Sequence, residues 1–150
     1  MNHSIDTLLQ FLHWAGKSTS HNLEFVSDDR LTWKPAPTAL SAVEIIHHVS
    51  GSLQAIQRLL DGAEWQLPDL PVPQTRSEAQ ALLDQSVAAY AAALERSRDH
   101  DFTRIVKAGR RGIQVPLGRA AGMPVADLIH HHGQIAYLQT LWGDTDTHAV

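Results

Sequence analysis

The sequence contains no cysteine, and this absence removes several kinds of site at once. Without thiols the chain can form no disulfide, no thiolate metal site and no cysteine nucleophile. It also has no apolar run near the roughly 18 residues that cross a membrane, so we expect no membrane partner. Residues 1–6 lack the basic and apolar regions of a signal peptide. We therefore expect a cytoplasmic protein.

Positive charge is also scarce. The chain has 12 Lys and Arg residues against 16 Asp and Glu residues, with a net charge of -4. A phosphate-binding surface needs clustered Lys and Arg, and the one short cluster, Lys107, Arg110 and Arg111, is typical of a solvated loop. We therefore expect no nucleic-acid partner. A chain of 150 residues, 43% of them hydrophobic, suits one globular domain spanning residues 1–150.

Two helices are predicted in the first half of the chain. Apolar residues recur at helical spacing over residues 4–26, which predicts the first helix. The second opens at Ser41, where Glu44 three residues later completes a capping box. It ends at Gly62, a typical C-terminal stop.

The second half predicts two more helices. Residues 65–74 contain three prolines and form an irregular connection. A segment rich in alanine and leucine predicts the third helix over residues 77–99. Residues 100–123 are rich in glycine, with short apolar pieces that suit extended structure. The last helix is predicted from Pro124, which fits a first turn, to Gly143. Four such helices favour an all-α four-helix bundle with an irregular connection before the last helix.

Ten histidines are the unusual feature of the composition, and five of them form two clusters, at 47–48 and 130–132. On a helical wheel His131 falls within the inward apolar stripe of the last helix, and Asp127 lies one turn earlier at its edge. His48 lies on the margin of the inward stripe of the second helix.

The other histidines of these clusters are predicted at the surface. His47 and His130 point away from the inward stripes, and His132 lies on the opposite flank of its helix. Each cluster thus supplies one histidine that can reach the interior.

A histidine and an aspartate facing an apolar interior carry an energetic penalty unless they are paired. Asp127 and His131, at i and i+4, can converge on one ion, and His48 from a facing helix can complete an open site. Two histidines and one carboxylate suit Zn(II), Fe(II), Ni(II) or Mn(II). The alternative is that Asp127 hydrogen-bonds His48 or His131 with no metal.

Several stretches resemble the DinB-like (DinB/YfiT-like) superfamily of helical bundles. They are Trp33-Lys34-Pro35-Ala36-Pro37, the segment 41–49, the His-x-Gly-Gln signature beginning at His131, and the segment 137–144. The resemblance implies that His48 and His131 are metal ligands. In the family the third ligand is a histidine at the position of Asp127. A carboxylate can replace it but makes the site harder and more negative, and His130 is a poor substitute because it points elsewhere.

The resemblance implies a divalent-metal-dependent enzyme, either a transferase using low-molecular-weight thiols or a hydrolase, that often forms homodimers. The metal would act as a Lewis acid on a bound thiol or water, with Gln134 orienting a ligand and a small molecule as substrate. Two alternatives stay open. One is a non-catalytic binding or stress-response module that has lost or altered its metal site at Asp127. The other is a homodimerisation domain that uses exposed aromatic residues such as Trp14 or Phe25.

Overall fold

The computed structural model describes residues 2–148 and 150, with side chains described from residue 4 onward. Its helices and strands are α1 Asn2–Leu23, α2 Ala42–Leu60, α3 Arg76–Arg96, β1 Ile105–Ala108, β2 Ile113–Pro116 and α4 Leu117–Leu141, with a 3-10 turn at Asp28–Arg30. Helices α1 and α2 each pack against α3 and α4, so the order around the bundle is α1, α3, α2, α4. The all-α four-helix bundle predicted from the sequence is confirmed. No helix in the described part of the chain is long and apolar enough to span a bilayer.

Helix α2 begins with the capping box that the sequence predicted. The Ser41 side chain accepts a hydrogen bond from the Glu44 amide, and the Glu44 carboxylate accepts one from the Ser41 amide at 2.9 Å. The predicted inward stripe is buried along its whole length, at Ile45, Val49, Leu53, Ile56 and Leu60. This burial fixes the rotation of α2 about its axis and brings His48 to the margin of the α2–α4 contact.

The predicted ends of α1 and α3 differ from the observed ones by a few residues. Helix α1 ends at Leu23 rather than Val26 because residues 24–26 form turns, although Val26 remains buried in the core. Helix α3 begins at Arg76, where the Thr75 side chain caps the first turn. It ends at Arg96, a few residues before the predicted end.

The prediction that the last helix begins at Pro124 is wrong. Helix α4 begins at Leu117, and Pro124 lies inside it. A proline lacks the N–H that would bond the carbonyl four residues earlier. In this turn the Tyr90 hydroxyl of α3 donates to the Ala121 carbonyl at 2.7 Å. The carbonyl that Pro124 leaves without its helical donor is that of Ala120, so the Tyr90 bond to the neighbouring Ala121 holds this turn against α3 but does not replace the lost bond.

The irregular connection before α4 contains a small hairpin, as its short apolar pieces suggested. Strands β1 and β2 are antiparallel, with Val106 opposite Val115 and both side chains buried against the bundle. Gly109 and Gly112 have positive φ at the turn, a backbone conformation that favours glycine. The cluster Lys107, Arg110 and Arg111 is exposed on this hairpin. Residues 65–74 contain neither helix nor strand.

Candidate metal centre

Helices α2 and α4 bring together the three residues singled out from the sequence. The Nε2 atom of His48 lies 3.3 Å from Asp127 Oδ2, and the Nε2 atom of His131 lies 3.4 Å from Asp127 Oδ1. The two imidazole rings pack edge to face with centroids 4.7 Å apart. In the described part of the chain this is the one group of three or more His, Asp or Glu residues whose ligand atoms all lie within 4.8 Å of one another.

The three side chains form a gradient from the interior to solvent. His131 is buried at 8% exposure, Asp127 is half-buried, and His48 is exposed on the outer margin of α2. The carboxylate lies between the two rings. The group therefore has one side closed by the bundle and one side open to solvent, as a site that exchanges small molecules requires.

The position of each proton follows from the partners of His131. Its Nδ1–H donates to the Oε1 atom of Gln134 at 2.6 Å. In the neutral ring Nε2 then carries a lone pair. That lone pair faces a carboxylate oxygen of Asp127 at 3.4 Å. Two lone pairs at this distance repel each other unless a proton or a metal ion lies between them.

Charge and burial act in opposite directions on these groups. Burial by itself would raise the pKa of Asp127, but the contacts with His131 and His48 together outweigh it and hold that pKa well below its usual range. Burial by itself would lower the pKa of His131, yet the Asp127 carboxylate and Gln134 leave it raised. The group thus favours positive charge next to the carboxylate, either as a proton or as a cation.

The donor atoms of the three residues lie close enough together to converge on one ion. One ligand atom from each residue lies within 4.8 Å of the other two. The two histidine nitrogens contact different oxygens of the Asp127 carboxylate, at 3.3 and 3.4 Å. Two imidazoles and a carboxylate are also a donor set that divalent transition metals accept. The residues present therefore fit a divalent metal ion.

Gln134 links the buried histidine to an exposed one. Its Oε1 accepts from His131, and its Nε2 donates to His130 Nε2 at 3.1 Å. The sequence identified Gln134 as an orienting residue but did not connect it to His130, which was expected to point away. The signal that could have found the contact is the i, i+4 spacing of His130 and Gln134.

The prediction that the other clustered histidines lie at the surface is wrong for two of them. The Nε2–H of His47 donates to the Leu70 carbonyl at 2.9 Å and holds the irregular connection against α2. His132 is half-buried against Trp14 of α1, and its Nε2 accepts from the Asn22 amide at 3.1 Å. Burial lowers the pKa of His132. Both histidines stabilise contacts between elements.

One family model matches most of the chain, and several solved structures share its fold. A family model described as the DinB superfamily matches residues 12–135. A solved structure of a DinB-like protein from Bacillus subtilis superposes with a TM-score of 0.71 at 18% identity, covering 91% of this chain and 92% of that one. A DinB-like protein from Bacillus cereus ATCC 10987 gives 0.70 at 21% identity, covering 92% of each chain. No curated protein sequence matches the chain.

A third similar structure is that of a mycothiol-dependent maleylpyruvate isomerase. It gives a TM-score of 0.70 at 16% identity, covering 87% of this chain but 60% of the other. At these identities the three structures show a common fold.

Proposed function

The chain belongs to the DinB superfamily, and we propose that it is a divalent-metal-dependent enzyme acting on a small molecule. The observation that carries the proposal is the meeting of His48, Asp127 and His131 across α2 and α4. The Nε2 lone pair of neutral His131 faces the Asp127 carboxylate there, and a metal ion between them would relieve the repulsion that a proton otherwise relieves. The reaction we propose is transfer involving a low-molecular-weight thiol, or hydrolysis by water.

The three side chains would hold the ion, each with a distinct part. His48 and Asp127 face solvent and would leave the outer side of the site open to substrate. His131 would supply the buried ligand, with its ring orientation set by Gln134. The bound ion would supply Lewis-acid chemistry, lowering the pKa of a thiol or water held in the site. The carboxylate of Asp127 would offset part of the positive charge that this requires.

One comparison supports a thiol as the nucleophile: a protein with a similar fold is, by its description, mycothiol-dependent. A low-molecular-weight thiol is therefore the first substrate class to test, and water is the second.

The alternative function is a non-catalytic module that keeps the bundle. One observation favours it: Asp127 replaces the histidine that the family resemblance places there, and its carboxylate lies at ion-pair distance from both histidines. A protonated His131 would satisfy that arrangement.

The experiment is a screen of metal-stripped protein against protein reloaded separately with Zn(II), Ni(II), Mn(II) and Fe(II). A panel of small thiols with an aromatic electrophile tests transfer, and p-nitrophenyl esters test hydrolysis. We expect turnover with at least one metal and its loss in Asp127→Asn. His13→Ala, an exposed histidine on α1 far along the chain from the site, is the matched control and should keep the activity. Metal binding without turnover in either assay would favour the non-catalytic module.

A further inference from the structure

A cavity of about 300 Å³ lies in the groove between α4 and the loop that leads into α2. The loop contributes four residues, α2 contributes one from its first turn, and α4 contributes four from its last three turns. They are Pro35, Thr38, Ala39, Leu40, Ile45, His131, Gln134, Tyr137 and Leu138.

The cavity continues from the candidate metal centre along the groove. His131 belongs to both. Ile45 precedes His48 by three residues, and Leu138 follows His131 by seven. The cavity therefore lies one to two helical turns from the three ligand atoms, a distance of roughly 5–10 Å along the helices.

The walls of the cavity are mainly apolar. None of its lining residues is Asp, Glu, Lys or Arg, and His131 lies at the end shared with the candidate metal centre. A charged group farther along the cavity would therefore lie without an ion-pair partner. Two large side chains at its rim, Leu40 and Tyr137, are 38% and 63% exposed. Covering such side chains with an apolar ligand removes their surface from water, which favours binding.

The size of the cavity limits what it can hold. It is at the small end of the range for ligand pockets and roughly twice the ~150 Å³ cavity that takes up a benzene ring. One aromatic ring or a short branched alkyl group fits this volume.

We propose that this cavity binds the apolar body of the substrate, an aromatic ring or short branched alkyl group, while its reacting head group lies at His48, Asp127 and His131. The proposal deepens the proposed function and rests on it. It makes Ala39, Leu40 and Tyr137 the residues that set specificity, and it excludes substrates that are charged one to two turns from the reacting group.

The test compares two thiols that share a head group and differ in apolar size. Ethanethiol and 2-phenylethanethiol are titrated into zinc-loaded protein by calorimetry. We expect the phenyl compound to bind at least tenfold more tightly, because its ring is removed from water in the cavity. Ala39→Phe, which fills the cavity, should reduce the ratio of the ethanethiol Kd to the 2-phenylethanethiol Kd at least fivefold. Ala36→Phe adds the same ring to the same loop at an exposed position outside the cavity, and it should keep the ratio. Zinc affinity should be unchanged in both variants.

A metal-free arm separates failure of the cavity from failure of the metal site. Benzyl alcohol is added to the metal-free protein, and the methyl resonances of Leu40, Ile45 and Leu138 should shift in the parent protein but not in Ala39→Phe. If zinc does not bind but these methyl shifts appear, the proposed function fails and the apolar ligand site stands.

Two results would overturn the cavity proposal and leave the metal site intact. The first is a ratio near one in the parent protein, or an unchanged ratio in Ala39→Phe. The second is a dimer in sedimentation experiments that Ala39→Phe dissociates, because the cavity would then receive a second copy of the chain.

Discussion

Replacing Gln134 with methionine removes the hydrogen bond to His131 behind the candidate metal centre, together with the exposed one to His130, and leaves the three ligands in place. Methionine keeps the length of the side chain but does not provide the amide oxygen that accepts from His131 Nδ1 at 2.6 Å. A typical hydrogen bond of this kind contributes about 1 kcal/mol to stability. For a domain of this size that corresponds to a fall in Tm of about 2–4 °C.

The effect on metal binding should be larger than the effect on stability. A group that orients a ligating imidazole typically contributes 10–100-fold to metal affinity, or about 1.4–2.7 kcal/mol. We therefore expect Gln134→Met to weaken Zn(II) binding by about 10–100-fold. Competition with a fluorescent zinc chelator measures this directly, and thermal unfolding of the metal-free protein measures the structural part.

A second glutamine provides the control. Gln54 donates to Ser86 Oγ at 3.1 Å across α2 and α3, away from the site. Gln54→Met should therefore cost a similar amount of stability, about 1 kcal/mol, and leave zinc affinity unchanged. Equal zinc affinity in the parent protein and Gln134→Met, with Tm lowered in both variants, would refute the positioning role of Gln134.

Three further predictions concern the bundle and its pH dependence. Tyr90→Phe should lower the free energy of unfolding by about 1 kcal/mol in urea titrations, because it removes the 2.7 Å hydrogen bond from the buried hydroxyl to the Ala121 carbonyl; a change below 0.5 kcal/mol would contradict this. Ser41→Ala should cost about 1 kcal/mol through loss of the helix cap, whereas Ser41→Thr, which keeps the hydroxyl, should cost less. The pKa of His131 is raised in the folded protein, so its contribution in the metal-free protein is complete below the unfolded value of about 6.5 and is lost as the pH rises through the folded pKa. The free energy of unfolding should therefore fall between pH 6 and 8, and it should fall less steeply in Asp127→Asn. An equal slope in both proteins would count against the Asp127–His131 ion pair.

Local signals predicted the parts of the fold where sequence and packing agree. The capping box at Ser41 and the unbroken stripe from Ile45 onward fix both the start and the rotation of α2. The resemblance to the DinB-like superfamily is confirmed by the family match. The start of α4 was missed because proline is favoured in the first turn of a helix and disfavoured inside one, so Pro124 suggested a start, whereas the helix begins at Leu117.

The candidate site was also predicted in part: helical spacing located the three ligands, and the contacts that depend on tertiary packing were missed. Helical spacing was enough to place Asp127 and His131 on one face of α4, with His48 opposite them. It could not show that Gln134 joins two histidines, or that His47 and His132 have partners on neighbouring segments, because contacts of the last kind depend on which segment packs against each helix. The cavity was invisible to periodicity, since part of its wall is a loop.

Metal stoichiometry in the purified protein tests the central claim most directly. Metal-stripped protein is titrated with Zn(II) by calorimetry, with elemental analysis of the product, alongside His131→Ala and the control His13→Ala. We expect one ion per chain in the parent protein and in His13→Ala, and loss of that ion in His131→Ala. The same metal content in His131→Ala as in the parent protein, or no bound ion in the parent protein, would contradict a metal centre at His48, Asp127 and His131.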